Sequence, residues 1–395
     1  MSAPRILFAS LVFAAPALAA PNGKLGFIGA KGTQILNLQS GVVRALPQGT
    51  KATLLTLSPK GTAVYFVPVL GAKAKDEQSD VPTNAMESLR PYSRVRPMPS
   101  LGTQIPYWYY WNSQGTSLYL STDKAWGVFT PQTGRYTTLK IRQQSFDARD
   151  RKMAYSTENQ IIVRDVASGR NHVLFDIRKS KPMFAALRTA KYPQKVKELV
   201  SPQNDPMVKD PHNWLMSDPA LNPDGSRLYF ACNAGTDSGA AGNTSFALFA
   251  VNLKTNKISV LSQLGILFGR MPHIFRVSSD GKRLLLASSV HDSAADNSSF
   301  VEVVDLLTQN SREVFMGVLP GSKDKANFLN SAVWSPDSKY IAVSGYFYDA
   351  QKMMQNYSGN WPEVKPSQYT TGIVDARTGR LIKTIKGATS LSWIK

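Results

Sequence analysis

The sequence predicts an all-β chain in which one four-stranded unit repeats around an axis. Three observations carry this. A turn phrase of the form Ser/Asn/Asp-Pro/Ser-Asp/Lys-Gly recurs as LSPKG at 57–61, WNSQG at 111–115, FDARD at 146–150, LNPDG at 221–225, VSSDG at 277–281 and WSPDS at 334–338. Each phrase is followed by an alternating apolar strand: TAVYFV, TSLYLS, RKMAYS, SRLYFA, KRLLLA and KYIAVS. The two chain ends carry complementary fragments of the same unit. Self-similarity over tens of residues is the mark of a repeat architecture, and period-two alternation rich in Val, Ile, Tyr and Phe marks strands.

The elements follow in order. A short apolar strand precedes each turn, as at 53–57, 105–111 and 331–334. The alternating strand comes second. A third strand ends in its own turn, as in QIIVRDVASGR (160–170), FALFAVNLKTNK (246–257), FVEVVDLLTQNS (300–311) and TTGIVDARTGR (370–380). A fourth closes each unit: HVLFDI, ISVLSQ, REVFMG and LIKTIK. Pro pre-sets φ at the second turn position, and Gly occupies the fourth, where a side chain would clash. The Asp of Pro-Asp-Gly suits this turn and is no sign of metal binding.

The start of the repeats, LGFIGA, TQILNLQSG and VVRALP, supplies strands two to four of a unit that lacks its first strand. The end, ATSLSWIK, resembles a first strand, with Trp393 matching Trp334. Joining the two closes a ring and removes exposed sheet edges. The expectation is a single β-propeller of seven four-stranded blades over residues 22–395, closed by pairing the C-terminal strand with the N-terminal blade. A regular blade takes about 40–45 residues. Longer spacings place insertions at 71–103, 179–213 and 347–368, and the third and fourth strands of the second blade must lie within 71–103.

Composition bounds the class. The chain has 395 residues, 43% of them hydrophobic, which suits a globular fold. Arg5, the apolar run at 6–15 and the small-x-small site Ala17-Leu18-Ala19 predict a signal peptide over 1–19. The apolar run is shorter than a spanning helix needs, and no later segment is long and apolar enough to span. With Cys232 the only cysteine, no intrachain disulfide forms, and stability must come from packing. The net charge of +19 favours anionic partners. No compact Lys/Arg block marks a nucleic-acid tail, so no nucleic acid is expected.

The unit W-S-P-D-x-x-x-I-A-V-S at 334–344, with I-V-D-x-x-T-G-R at 373–380, resembles the WD40-like Pro-Asp repeat of TolB-type β-propeller proteins of the bacterial envelope. The resemblance implies a propeller fold and a periplasmic or secreted location.

Catalytic sets are incomplete. No Gly-x-Ser-x-Gly elbow or α/β domain is present, which excludes a propeller-linked serine hydrolase. His172, His212, His273 and His291 show no metal-ligand spacing. His212, His273 and His291 could meet only if their loops converge on the channel. No catalytic residue, metal or cofactor is assigned. Binding residues are sought among aromatic and basic clusters. In the run YWYYW, Tyr107, Tyr109 and Trp111 face one way and Trp108 and Tyr110 the other. The third insertion adds Tyr346, Tyr348, Tyr357 and Trp361, and the second adds Lys191 and Lys195. Aromatic-rich loops on a rigid scaffold suit recognition. The expected function is a monomeric, exported, non-catalytic binding or scaffold module for a protein or an envelope polymer of anionic character. The alternative is a propeller hydrolase or lyase with its site at the channel mouth.

Overall fold

A computed structural model describes residues 23–46, 52, 54–68, 83–88, 95–97, 108–121, 126–139, 145–157, 159–179, 216–233, 244–261, 266–269, 274–291, 297–315, 319, 326–349 and 364–394. These residues are β-strands joined by turns, apart from two single 3-10 turns at Ile177–Lys179 and Pro366–Gln368. Among them, no helix is long and apolar enough to cross a membrane.

The strands form antiparallel blades of four, arranged as a propeller. Six sheets take their strands consecutively from the chain. The first holds β4 (Leu54–Leu57), β5 (Ala63–Pro68), β6 (Thr83–Ser88) and β7 (Val95–Pro97). The second holds β8 (Trp108–Trp111), β9 (Leu118–Ser121), β10 (Trp126–Thr130) and β11 (Arg135–Leu139). The third holds β12 (Ser145–Phe146), β13 (Lys152–Ser156), β14 (Gln160–Asp165) and β15 (Asn171–Asp176). The fourth holds β16 (Ala220–Leu221), β17 (Arg227–Asn233), β18 (Thr244–Asn252) and β19 (Ile258–Val260), with β20 (Ile266–Gly269) added beside β18. The fifth holds β21 (Ile274–Val277), β22 (Arg283–His291), β23 (Asn297–Asp305) and β24 (Ser311–Glu313). The sixth holds β25 (Ala326–Trp334), β26 (Tyr340–Tyr348), β27 (Thr370–Asp375) and β28 (Leu381–Lys386).

A further four-stranded sheet joins both ends of the chain. There β29 (Thr389–Ile394) pairs with β1 (Lys24–Gly29), which leads to β2 (Gly32–Asn37) and β3 (Val43–Ala45). The register sets Leu25 opposite Trp393 and Lys24 opposite Ile394. This is the closure the terminal fragments predict. β6 and β7 lie within 71–103, where the missing strands of that blade are expected. β26 continues through Tyr348, so the segment expected as an insertion from 347 begins as strand.

The turn phrase has a local physical cause. Its first residue donates its backbone N–H to the returning strand, as from Ser58 to the Thr62 carbonyl at 2.8 Å and from Ser335 to the Tyr340 carbonyl at 2.8 Å. Its side-chain oxygen accepts in return: Asn112 from Thr116 N at 2.9 Å, Ser278 from Arg283 N at 3.0 Å, Ser335 from Tyr340 N at 2.9 Å. Only a short oxygen-bearing side chain can cap the backbone in this way. The fourth position is left-handed throughout, with φ of 86° at Gly61, 63° at Gly115, 70° at Gly225 and 70° at Gly281. Asp150 and Ser338 take the same conformation at 55° and 60°.

Cores lie between neighbouring blades. Leu228, Phe230, Phe249 and Val251 pack with Ile161, Val163 and Phe175 of the preceding blade. Leu284 and Leu286 pack with Tyr229 and Leu248. Flat sheets need large side chains to fill the wedge between them, and stacked Phe230 and Phe249, with ring centroids 5.2 Å apart, do so here. Cys232 is fully buried in β17, and burial pushes its thiol pKa well up, so it is an inert packing residue.

Candidate functional site: the channel mouth

The first strands of the blades stand in a circle, and each is tied to the next. Ser390 and Ser392 of β29 accept the N–H groups of Leu55 and Leu57 in β4 at 3.0 and 2.8 Å. Trp111 in β8 donates its indole N–H to Thr56 of β4 at 3.0 Å. Asp150, in the turn after β12, accepts from the backbone and hydroxyl of Ser113 at 2.8 and 2.6 Å. Ser145 of β12 accepts the Leu221 N–H of β16 at 2.9 Å. A Cβ on Gly281, after β21, would meet Asn222 Oδ1 at 2.7 Å, so these turns touch as well. Trp334 of β25 donates its indole N–H to the Arg276 carbonyl of β21 at 3.1 Å. Asn330 of β25 accepts the Ser390 N–H at 2.8 Å, which returns the circle to β29.

At the end of the circle where the first strands enter their turns, a cavity of about 630 Å³ opens. Tyr110, Trp111, Phe146, Trp334 and Trp393 bring aromatic rings to its wall, and Asp218 and Arg276 bring charge. The repeat explains the placement. Leu57, Trp111, Phe146, Leu221, Val277 and Trp334 each end a first strand immediately before its turn, and Trp393 holds the matching register position in β29, one residue before that strand ends. Four of these seven are aromatic. Asp218 lies just before β16, where Met216 bridges Cys232.

The polar groups of the mouth are organised around Tyr110. Its hydroxyl donates to Asp218 Oδ2 at 3.1 Å, which holds the ring in place. The guanidinium of Arg276 stands 4.7 Å from the ring centroid, in cation–π range. Arg276 is exposed, and among the described residues its guanidinium makes no hydrogen bond or ion pair. One step deeper, Tyr109 bonds Ser390; burial raises its pKa and the nearby Arg276 lowers it.

Of the residues sought from sequence, Trp111 lines the mouth and Tyr109 lies beneath it, packed against the Val64, Phe66 and Leu118 cluster. Tyr346 and Tyr348 lie elsewhere. Tyr340 follows the turn of its blade closely, and Tyr348 is the far end of the same strand, ~26 Å away. There Tyr346 stacks on Phe328 at 5.6 Å and meets Tyr369 edge-on at 5.4 Å, and burial pushes its pKa up to about 12. Tyr107, Tyr357, Trp361, Lys191 and Lys195 lie outside the described residues, as do His212 and His273. His172 is exposed on β15, and His291 ends β22. Among the described residues no three His, Cys, Asp or Glu side chains gather as metal ligands.

Sequence reasoning placed Tyr110 on the face opposite Tyr109 and Trp111 and passed over Arg276, Asp218, Trp334 and Trp393 as site residues. Stacking the repeats by register would have found the tryptophans and Arg276. Asp218 precedes its strand and has no repeat position to betray it. The flanks of the insertions, at 68 and 83, 179 and 216, and 348 and 364, fall after second or fourth strands. In an antiparallel blade that is the end opposite the turns lining the mouth.

No family model matches the chain, and no curated protein matches it. Among solved structures it is similar to TolB from Acinetobacter baumannii, at 11% identity and a TM-score of 0.46, over 92% of this chain and 79% of that one. It is similar to the Cps50 (Swd1) β-propeller domain of Myceliophteria thermophila, at 12% identity and a TM-score of 0.46, over 86% and 88% of the two chains. It is also similar to an oligogalacturonate lyase in complex with manganese, at 10% identity and a TM-score of 0.47, over 92% and 86%.

Proposed function

We propose that the protein is an exported, monomeric, non-catalytic binding module, a seven-bladed ring whose channel mouth receives a protein or an envelope polymer. The observation that carries this is the mouth: a cavity of about 630 Å³ walled by aromatic rings, with the Arg276 guanidinium exposed at it. Concave, largely apolar sites with a few converging polar groups are the usual form of a binding site. The blade count is supported by the circle of first strands, joined by hydrogen bonds except from β16 to β21, where the turns are in contact, and export by the leader pattern at 1–19. The rival hydrolase or lyase needs an acid and a base at the mouth. Among the described lining residues Asp218 is the one carboxylate, and Tyr110 already donates to it.

The test places a photo-crosslinking side chain at Ser279, on the mouth, and in a second variant at Leu307, 91% exposed and off the mouth. Irradiation among envelope components of the producing cell should give adducts from position 279 only. Combining it with Trp111→Ala and Trp334→Ala should abolish them. Equal adducts from both positions, or none from 279, would remove the mouth as the binding site.

A further inference from the structure

We infer that the ligand of this mouth is a glycan bearing carboxylate groups, with Arg276 as its anion anchor and the surrounding rings as platforms for its sugars. This rests on the mouth being the binding site and adds the chemical class of what enters it.

The charge comes first. An exposed guanidinium with no ion pair among the described residues, held beside Tyr110, presents its donor fork to whatever enters. A planar carboxylate matches that fork in two parallel hydrogen bonds. The net charge of +19 draws a polyanion toward the protein, whereas Arg276 selects at the site.

The rings come second. The indole N–H of Trp111 is taken by Thr56, that of Trp334 by the Arg276 carbonyl, and the Tyr110 hydroxyl by Asp218. With their polar edges bonded within the protein, these side chains offer a ligand mainly ring carbon. The electron-rich faces of such rings suit the C–H faces of a sugar.

The backbone decides between a glycan and a peptide. An extended peptide gains affinity by adding to an open strand edge. Here three N–H groups on the first strands β4 and β16 are already bonded by serine hydroxyls of the neighbouring blade: Leu55 by Ser390, Leu57 by Ser392, Leu221 by Ser145. An edge closed by side chains does not recruit another strand. At these two strands recognition runs through side chains, which suits stacked sugar rings with one charged substituent.

The full mature chain is titrated with a tetrasaccharide of uronic acid units, its methyl ester, a neutral glucose tetrasaccharide and an acidic peptide. Tryptophan fluorescence and calorimetry give the readout. The free uronate should bind, and the ester and the neutral glucan should bind at least tenfold more weakly. Arg276→Ala should weaken uronate binding roughly 10- to 100-fold, the usual weight of a hydrogen-bonded charge. Arg276→Lys should retain part of the affinity, because it keeps the charge and loses the fork. Arg44→Ala, an exposed change of equal charge on β3, should change affinity less than threefold. All three variants alter exposed side chains, and circular dichroism confirms their fold. Equal binding of acid and ester, or equal losses in the Arg276 and Arg44 alanine variants, overturns the inference. Peptide binding without uronate binding overturns the glycan and leaves the mouth standing as a binding site. If no probe binds and crosslinking at 279 also fails, both readings fall together.

Discussion

Leu391 is 2% exposed in β29, the strand that joins the end of the chain to its beginning, and it packs with Leu25, Leu36, Tyr340 and Ile373. Those neighbours come from the N-terminal strands and from the sixth sheet, so this side chain bridges both flanks of the closing strand. Leu391→Ala removes three buried carbons. At about 0.8 kcal/mol for each, the lost transfer term is about 2.4 kcal/mol. The cavity left behind raises the cost to about 3–4 kcal/mol, within the range of buried Leu→Ala changes. Urea unfolding followed by circular dichroism should show a lower midpoint with an unchanged slope. Leu307→Ala, at a residue 91% exposed, should cost no more than about 0.5 kcal/mol. If Leu391→Ala costs under about 1 kcal/mol, β29 does not carry the closure and the ring argument fails.

Two more predictions concern the blades. Asp150 accepts from Ser113 N, Ser113 Oγ, Asn112 Nδ2 and Gln114 N at 2.8, 2.6, 3.0 and 3.2 Å, while sitting at a φ of 55°. Asp150→Ala should cost about 3 kcal/mol in urea unfolding, and Asp150→Gly about 1 kcal/mol less, because Gly relieves the positive φ; equal costs would show that the backbone conformation carries no strain. Glu302 stands directly across from Glu313, and burial, then that neighbour, raises its pKa. The folded state thus holds this proton more tightly than the unfolded chain, so ionisation costs stability above the folded pKa and nothing below the unfolded value near ~4.3. Glu302→Gln should therefore raise the melting temperature at pH 8 and leave it unchanged at pH 3.5; the same shift at both would refute the assignment.

The architecture was legible because it is written in local chemistry. Ser58, Asn112, Asp147, Ser278 and Ser335 must each cap the strand that returns past them, so a small oxygen-bearing residue recurs and the repeat can be seen. The terminal fragments announced their pairing because β29 resembles the first strand of a unit and β1 to β3 its remaining three, and β29 pairs with β1. The candidate site was only partly legible. Trp111 was found for its unusual aromatic run, whereas Trp334 and Trp393 looked like ordinary repeat residues.

Strand periodicity and turn chemistry thus established a propeller and its closure, since both act between residues near in sequence or alike in every unit. The identity of the mouth came from folding. Tyr110, Asp218 and Arg276 lie far apart along the chain and meet only because the blades turn about one axis, setting equivalent first-strand positions around a common cavity. A charge partner across such an axis has no sequence period, and that is why the hydrogen bond holding Tyr110 and the exposed guanidinium beside it could be read only from the assembled ring.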